Sequence, residues 1–114
     1  MEVTEVTGAL AALAQQSRLA IYRLLVQRGP EGYTPGEISE QLGIPSPTLS
    51  FHLKELAQAR LVAVRRQGRF MHYSASFERM NALVSYLTEN CCSLGTAYDV
   101  ACAPAATRRR RKSA

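Results

Sequence analysis

The most distinctive chemistry in this 114-residue chain belongs to three cysteines: Cys91 and Cys92 side by side, and Cys102 further on. Thiolates are soft ligands that select soft ions, and exposed thiols also oxidise to disulfides. An odd number of cysteines cannot pair off within one chain. Zinc takes four ligands, and no fourth is evident near these three. Metal ligation and redox sensing therefore both stay open, as do a chance Cys-Cys pair and a vicinal disulfide.

A second chemically loaded stretch is basic. The formal net charge is +5, from 14 basic and 9 acidic residues. The tail Arg108-Arg109-Arg110-Arg111-Lys112 carries five of the positive charges, so residues 1–107 are neutral. Within that neutral body, Ser50–Ala75 holds Lys54, Arg60, Arg65, Arg66 and Arg69 against Glu55 alone. One basic patch on a neutral body suggests a face that attracts nucleic-acid phosphates, with a plain solvated surface as the alternative. No apolar run reaches membrane-spanning length, so no membrane partner is expected. The N-terminus MEVTEVTGAL is acidic and does not read as a targeting peptide, which makes a reducing cytoplasm the expected compartment.

The elements that must position these groups are legible from periodicity. Glu2–Ala14 reads as a helix with Val6, Leu10 and Leu13 on one face. Ser17–Arg28 follows, with Ser17 as its N-cap and a broad apolar face, and Gly29-Pro30 stops it. Pro35–Leu42 is a short helix, with Thr34 and Glu37 spaced as a capping box and Gly43 at its end. Pro47–Ala59 is another, with Leu49, Leu53 and Leu56 facing the core. The period then changes to two. Val62 and Val64 alternate with Ala63 and Arg65, Gln67-Gly68 is a turn signal, and Arg69–Ala75 returns. Phe77–Asn90 closes the ordered part, with Met80, Leu83, Val84 and Leu87 on one stripe. The domain division expected is 1–90 for the folded part, 91–102 for a cysteine segment and 103–114 for a basic, disordered tail.

Two short helices joined by Leu42-Gly43-Ile44-Pro45-Ser46 make a helix-turn-helix, whose second helix enters the major groove. Ser46, Thr48, Ser50 and Phe51 lie on or near the exposed face of that helix, and Lys54 follows. His52 sits on the same helix and His72 on the hairpin, each reading as a hydrogen-bonded or DNA-facing histidine rather than a metal ligand. A hairpin tipped with Arg65, Arg66 and Arg69 directly after this helix is a wing, placed to touch the neighbouring backbone or minor groove. The fold class is mainly α with a small β-hairpin.

Ser50-Phe51-His52-Leu53-Lys54, then Leu61-Val62, then Arg66-Gln67-Gly68-Arg69-Phe70-Met71-His72-Tyr73 resembles the winged-helix repressors of the ArsR–SmtB family. Ser17-Arg18-Leu19 is similar to that family as well. The resemblance runs from about Leu10 to Tyr86. It implies a winged helix-turn-helix homodimer built on the first and last helices, bound to a palindromic double-stranded DNA operator and released by an inducer. Arg60 departs from the family, which usually has glycine after the recognition helix; in a left-handed conformation arginine costs about 1 kcal/mol there.

Members of the family carry inducer sites in different places. Tyr33–Leu42 lacks the Cys-x-Cys pair of many arsenical repressors, and Ser76–Glu89 lacks the Asp and His ligands of zinc sensors. Leu87-Thr88-Glu89-Asn90-Cys91-Cys92 resembles the end of arsenical repressors that use adjacent cysteines plus a third. The resemblance thus implies As(III) or Sb(III) as inducer, on Cys91, Cys92 and Cys102, with no organic cofactor. The chemistry agrees, because three sulfurs and a lone pair complete the shell of a trivalent arsenic or antimony centre. An organoarsenical with fewer open bonds would need two. A thiol-redox or other soft-metal switch is the alternative within regulation. An enzyme is not expected. Cys102 to Arg108 does match the Cys-x5-Arg spacing of thiol phosphatases and some arsenate reductases, but it lacks glycine and contains Pro104, so it is a poor oxyanion cradle.

Overall fold

A computed structural model describes residues 1–95. Among them the order is α1 (Val3–Leu13), α2 (Gln16–Arg28), α3 (Pro35–Leu42), α4 (Ser46–Gln58), β1 (Val62–Gln67), β2 (Phe70–Ala75) and α5 (Phe77–Thr88). This is a winged helix-turn-helix. Gln15, not Ser17, caps α2: its side chain accepts the Arg18 N–H at 2.8 Å. At α3 the capping box is complete. Thr34 Oγ1 accepts the Glu37 N–H, and the Glu37 carboxylate accepts the Thr34 N–H at 2.9 Å. That backbone N–H holds the Glu37 carboxyl below its ordinary range. Gly43 ends α3 in the left-handed region, at φ 66°, and the Ser39 hydroxyl donates to the Ile44 carbonyl at 2.6 Å. The left-handed residue and this hydrogen bond set the turn that aims α4.

The core is built around that turn. Its fully buried large side chains are Ile21 and Leu25 of α2, Ile38 of α3, Leu49 and Leu56 of α4, and Leu61 at the corner into β1. The outer helices contribute less than their periodicity suggests. On α1 the buried residues are Val6, Ala9 and Ala12, while Leu10, expected inside, is 40% exposed. On α5 only Leu83 is buried; Val84 and Leu87 are more than half exposed, and the helix stops at Thr88 rather than Asn90. Side chains patterned as core therefore face outward on the first and last helices.

The corner after α4 is a Schellman motif: the Leu61 N–H donates to Leu56 O and the Arg60 N–H to Ala57 O, both at 3.0 Å. Arg60 occupies its left-handed position at φ 62°, as the departure from glycine anticipated. Arg60→Gly is expected to stabilise the fold by about 1 kcal/mol, read by urea or thermal unfolding. A variant no more stable than the parent would mean that arginine side-chain contacts offset the backbone strain.

The hairpin pairs Val62 with Ala75 through Gln67 with Phe70, and Gly68, at φ 63°, comes first in its two-residue turn. Val62 alone of β1 is buried. Val64, expected to alternate inward, is 41% exposed because the ribbon runs past the edge of the core. Its base is fixed to the α2–α3 loop. Tyr33 and Tyr73 exchange two backbone hydrogen bonds, at 2.9 and 2.8 Å, and the Arg28 guanidinium lies 4.9 Å over the Tyr33 ring. Gly32 makes the close approach possible, since a Cβ there would collide with the Tyr73 carbonyl.

Candidate functional site

Two candidate sites stand out among the described residues: the α4–wing surface and the thiol pair after α5. On α4 the buried residues Leu49, His52, Leu53 and Leu56 mark the inner face. Ser46, Thr48, Ser50, Phe51 and Lys54 are all exposed. At about 100° per residue the middle of the outer face falls near Pro47, Phe51 and Lys54. α4 starts behind Pro45 with no side-chain cap, so first-turn N–H groups stand at the end where Ser46 and Thr48 are exposed.

His52 does not share that surface. It is 7% exposed, and its Nδ1 lies 3.4 Å from an Arg18 guanidinium nitrogen. Of the two readings the sequence left for His52, DNA-facing or hydrogen-bonded, this burial fits the second: the ring lies on the inner face of α4, where Arg18 crosses from α2. Arg18 also donates through Nε to the Ala12 carbonyl of α1 at 2.7 Å, so one side chain ties the end of α1 to the middle of α4. A second such tie joins α5 to α1, where Arg79 pairs with Glu5 at 2.7 Å, its side chain only 18% exposed. Periodicity does not find these links, because the partners lie 34 and 74 residues apart. For Arg18 the signal was its place in the Ser17-Arg18-Leu19 opening of α2.

On the wing, Arg65, Arg66 and Arg69 are all exposed. Arg65 pairs with His72 and Arg66 with Met71, so neighbouring arginines project from opposite faces of the ribbon, and Arg69 sits in the turn. Arg65 reaches Gln67 at 3.3 Å and Arg66 the Gly68 carbonyl at 3.4 Å. The ion pairs among the described residues involve Arg28 and Arg79, not the wing. The wing cations therefore keep their full charge for an outside partner.

Beyond α5 the backbone makes a run of tight turns. The Cys91 N–H donates to Thr88 O, Ser93 to Asn90 and Gly95 to Cys92. Asn90 and Cys92 both have positive φ, 58° and 62°, on either side of Cys91. Left-handed conformations at non-glycine residues are unfavourable, and here they turn two adjacent side chains toward each other. The sulfurs lie 3.5 Å apart, far beyond the roughly 2.05 Å of a disulfide, so the two cysteines are not bonded to one another. Cys92 is disulfide-bonded in this structure. No group of three or more His, Cys, Asp or Glu side chains placed to hold a metal occurs among the described residues. Cys102 and the basic tail Arg108–Lys112 lie outside those residues.

A sequence profile described as a helix-turn-helix domain matches residues 13–65. The arsenical resistance operon repressor of Bacillus subtilis is 36% identical over 81 residues, 71% of this chain and 73% of that protein. An uncharacterised helix-turn-helix transcriptional regulator of the same organism, YceK, is 41% identical over 63 residues, 55% of this chain. The match spans 62% of the length of YceK. Among solved structures, the homodimeric winged helix-turn-helix DNA-binding domain of a possible ArsR-family regulator from Mycobacterium bovis superposes with a TM-score of 0.62. It is 27% identical, covering 85% of this chain and 90% of that one.

Proposed function

The chain belongs to the ArsR family of winged-helix transcriptional regulators, and from that membership we propose a dimeric, operator-binding repressor that releases DNA when trivalent arsenic or antimony binds the thiolates of Cys91, Cys92 and Cys102. The observation that carries the inducer assignment is the sulfur pair. With metal–thiolate bonds of about 2.3 Å, sulfurs 3.5 Å apart subtend about 100° at a shared centre. That angle suits a three-bonded pyramid, whose lone pair narrows the bond angles below the tetrahedral value. Trivalent arsenic supplies three acceptor positions for soft thiolates. Two of the three sulfurs stand at a separation that serves it, and reduction of the Cys92 disulfide is what frees the second as a thiolate.

Release requires the inducer to bind the DNA-incompetent dimer more tightly than the competent one. Cys91 and Cys92 abut α5, which Arg79–Glu5 ties to α1, which Ala12–Arg18–His52 ties to α4. Gathering three sulfurs reorders the residues after Thr88 and shifts α5. Through these ties the shift changes the separation of two recognition helices, which half-sites on one face of DNA hold fixed.

The dimer is assigned to the outward apolar residues Val3 and Leu10 of α1 and Val84 and Leu87 of α5. The homodimeric relative from Mycobacterium bovis supports a dimer, and the outward apolar residues support its place on these two helices. Val84→Glu with Leu87→Glu is expected to give a monomer in sedimentation and to lose operator affinity at least 100-fold, because a monomer grips one half-site. A double variant that still sediments as a dimer would put the interface elsewhere.

The Cys92 disulfide favours one second reading, a repressor switched by thiol oxidation. One titration separates the two. Arsenite added to the protein–operator complex under a phosphine reductant is expected to release the DNA. Release by peroxide, with no effect of arsenite under reductant, would establish the redox reading instead.

A further inference from the structure

We propose that Phe51 reads a thymine in each operator half-site, by packing its ring on the C5-methyl group in the major groove. This rests on the operator-binding reading above and adds an identity for one base.

Phe51 is 56% exposed on a helix whose inner face is complete without it. Leu49, Leu53 and Leu56 already anchor α4, and each is at most 2% exposed. At about 100° per residue, Phe51 projects within roughly 30° of the middle of the outer face. Ser50 and Lys54 flank it there, both exposed. The ring is supported on one side. It meets the His52 imidazole edge-on, with centroids 5.7 Å apart and planes at 61°. His52 is itself buried and in contact with Arg18, so that support is held by the core. Phe51 therefore presents a braced apolar surface near the centre of an otherwise polar face.

A phenyl ring has no donor or acceptor, so it cannot read the N7, O6, N4 or N6 groups of the major groove. The one apolar group displayed there is the thymine methyl. Phosphate contact is equally closed to it, which leaves that work to Lys54 and the wing. An aromatic side chain in the middle of a groove-facing helix thus selects for thymine at the base it covers.

The test begins with duplexes enriched from a random-sequence library by the full chain under reductant. They are resynthesised with deoxyuridine replacing thymidine one position at a time, which removes the methyl and keeps the base pairing. One position per half-site is expected to weaken binding about fourfold, and both together about 16-fold, the value of burying one methyl at each. Phe51→Ala should bind the thymidine and deoxyuridine duplexes equally; the residue is exposed and outside the core, and circular dichroism checks that the variant folds. An enriched operator with no deoxyuridine-sensitive position overturns this inference alone, as does a Phe51→Ala protein that keeps the full penalty. Failure to enrich any sequence overturns the operator reading and this inference with it.

Discussion

Serine at Cys91 or at Cys92 is expected to leave operator binding intact and to abolish its loss on adding arsenite. Both cysteines lie after α5, in turns that contribute nothing to the buried core. Removing a sulfur there should not disturb α4 or the wing. In the proposed site each is one of three ligands to a centre that needs three, so its loss would remove a soft bond that a serine hydroxyl does not replace. With a coupling of about 1–3 kcal/mol, arsenite should weaken the parent complex roughly 5–150-fold and either variant not at all. Cys102→Ser should behave alike toward arsenite while retaining release by an organoarsenical that needs two sulfurs. Fluorescence anisotropy of a labelled operator under a phosphine reductant reads all three. Normal release from all three variants would show that the inducer sits elsewhere.

Glutamine at Arg65, Arg66 and Arg69 together is expected to have the largest effect on DNA affinity. Each phosphate neutralised contributes about 0.9 to the slope of log affinity against log salt. Three arginines per subunit make six in the dimer, so the slope should flatten by up to about 5. Between 50 and 200 mM salt, that much slope accounts for an affinity change of about a thousandfold. Arg65 and Arg66 leave opposite faces of the ribbon, which bounds the effect. If one face alone meets the backbone, the slope flattens by about half as much. An unchanged slope would mean that the hairpin does not touch DNA.

The helix-turn-helix was readable because its signals are local. Thr34, Glu37 and Gly43 delimit α3, and Leu49, Leu53 and Leu56 mark the inner face of α4, all within short windows. The left-handed corner at Arg60 was readable for the same reason. The burial of His52 follows from the same spacing, three residues after Leu49, but its partner Arg18, arriving from another helix, was not readable. Leu10, Val84 and Leu87 misled in an instructive way. Their apolar period is real, but periodicity reports that a face avoids water and not which surface covers it. Val64 shows the same limit on a strand that outruns the core. At the thiol site, adjacency of Cys91 and Cys92 was plain in the sequence. The left-handed turns that set their sulfurs 3.5 Å apart were not, since nothing in Glu89-Asn90-Cys91-Cys92-Ser93 demands them.

The most direct test of the central claim is X-ray absorption at the arsenic edge, on the full chain loaded with one equivalent of arsenite per subunit and reduced with a phosphine. The expected result is three arsenic–sulfur bonds and no arsenic–oxygen shell, falling to two sulfurs in Cys102→Ser. Arsenic left with its oxygen ligands, or a shell unchanged by any of the three cysteine substitutions, would contradict the assignment of Cys91, Cys92 and Cys102 as the inducer site.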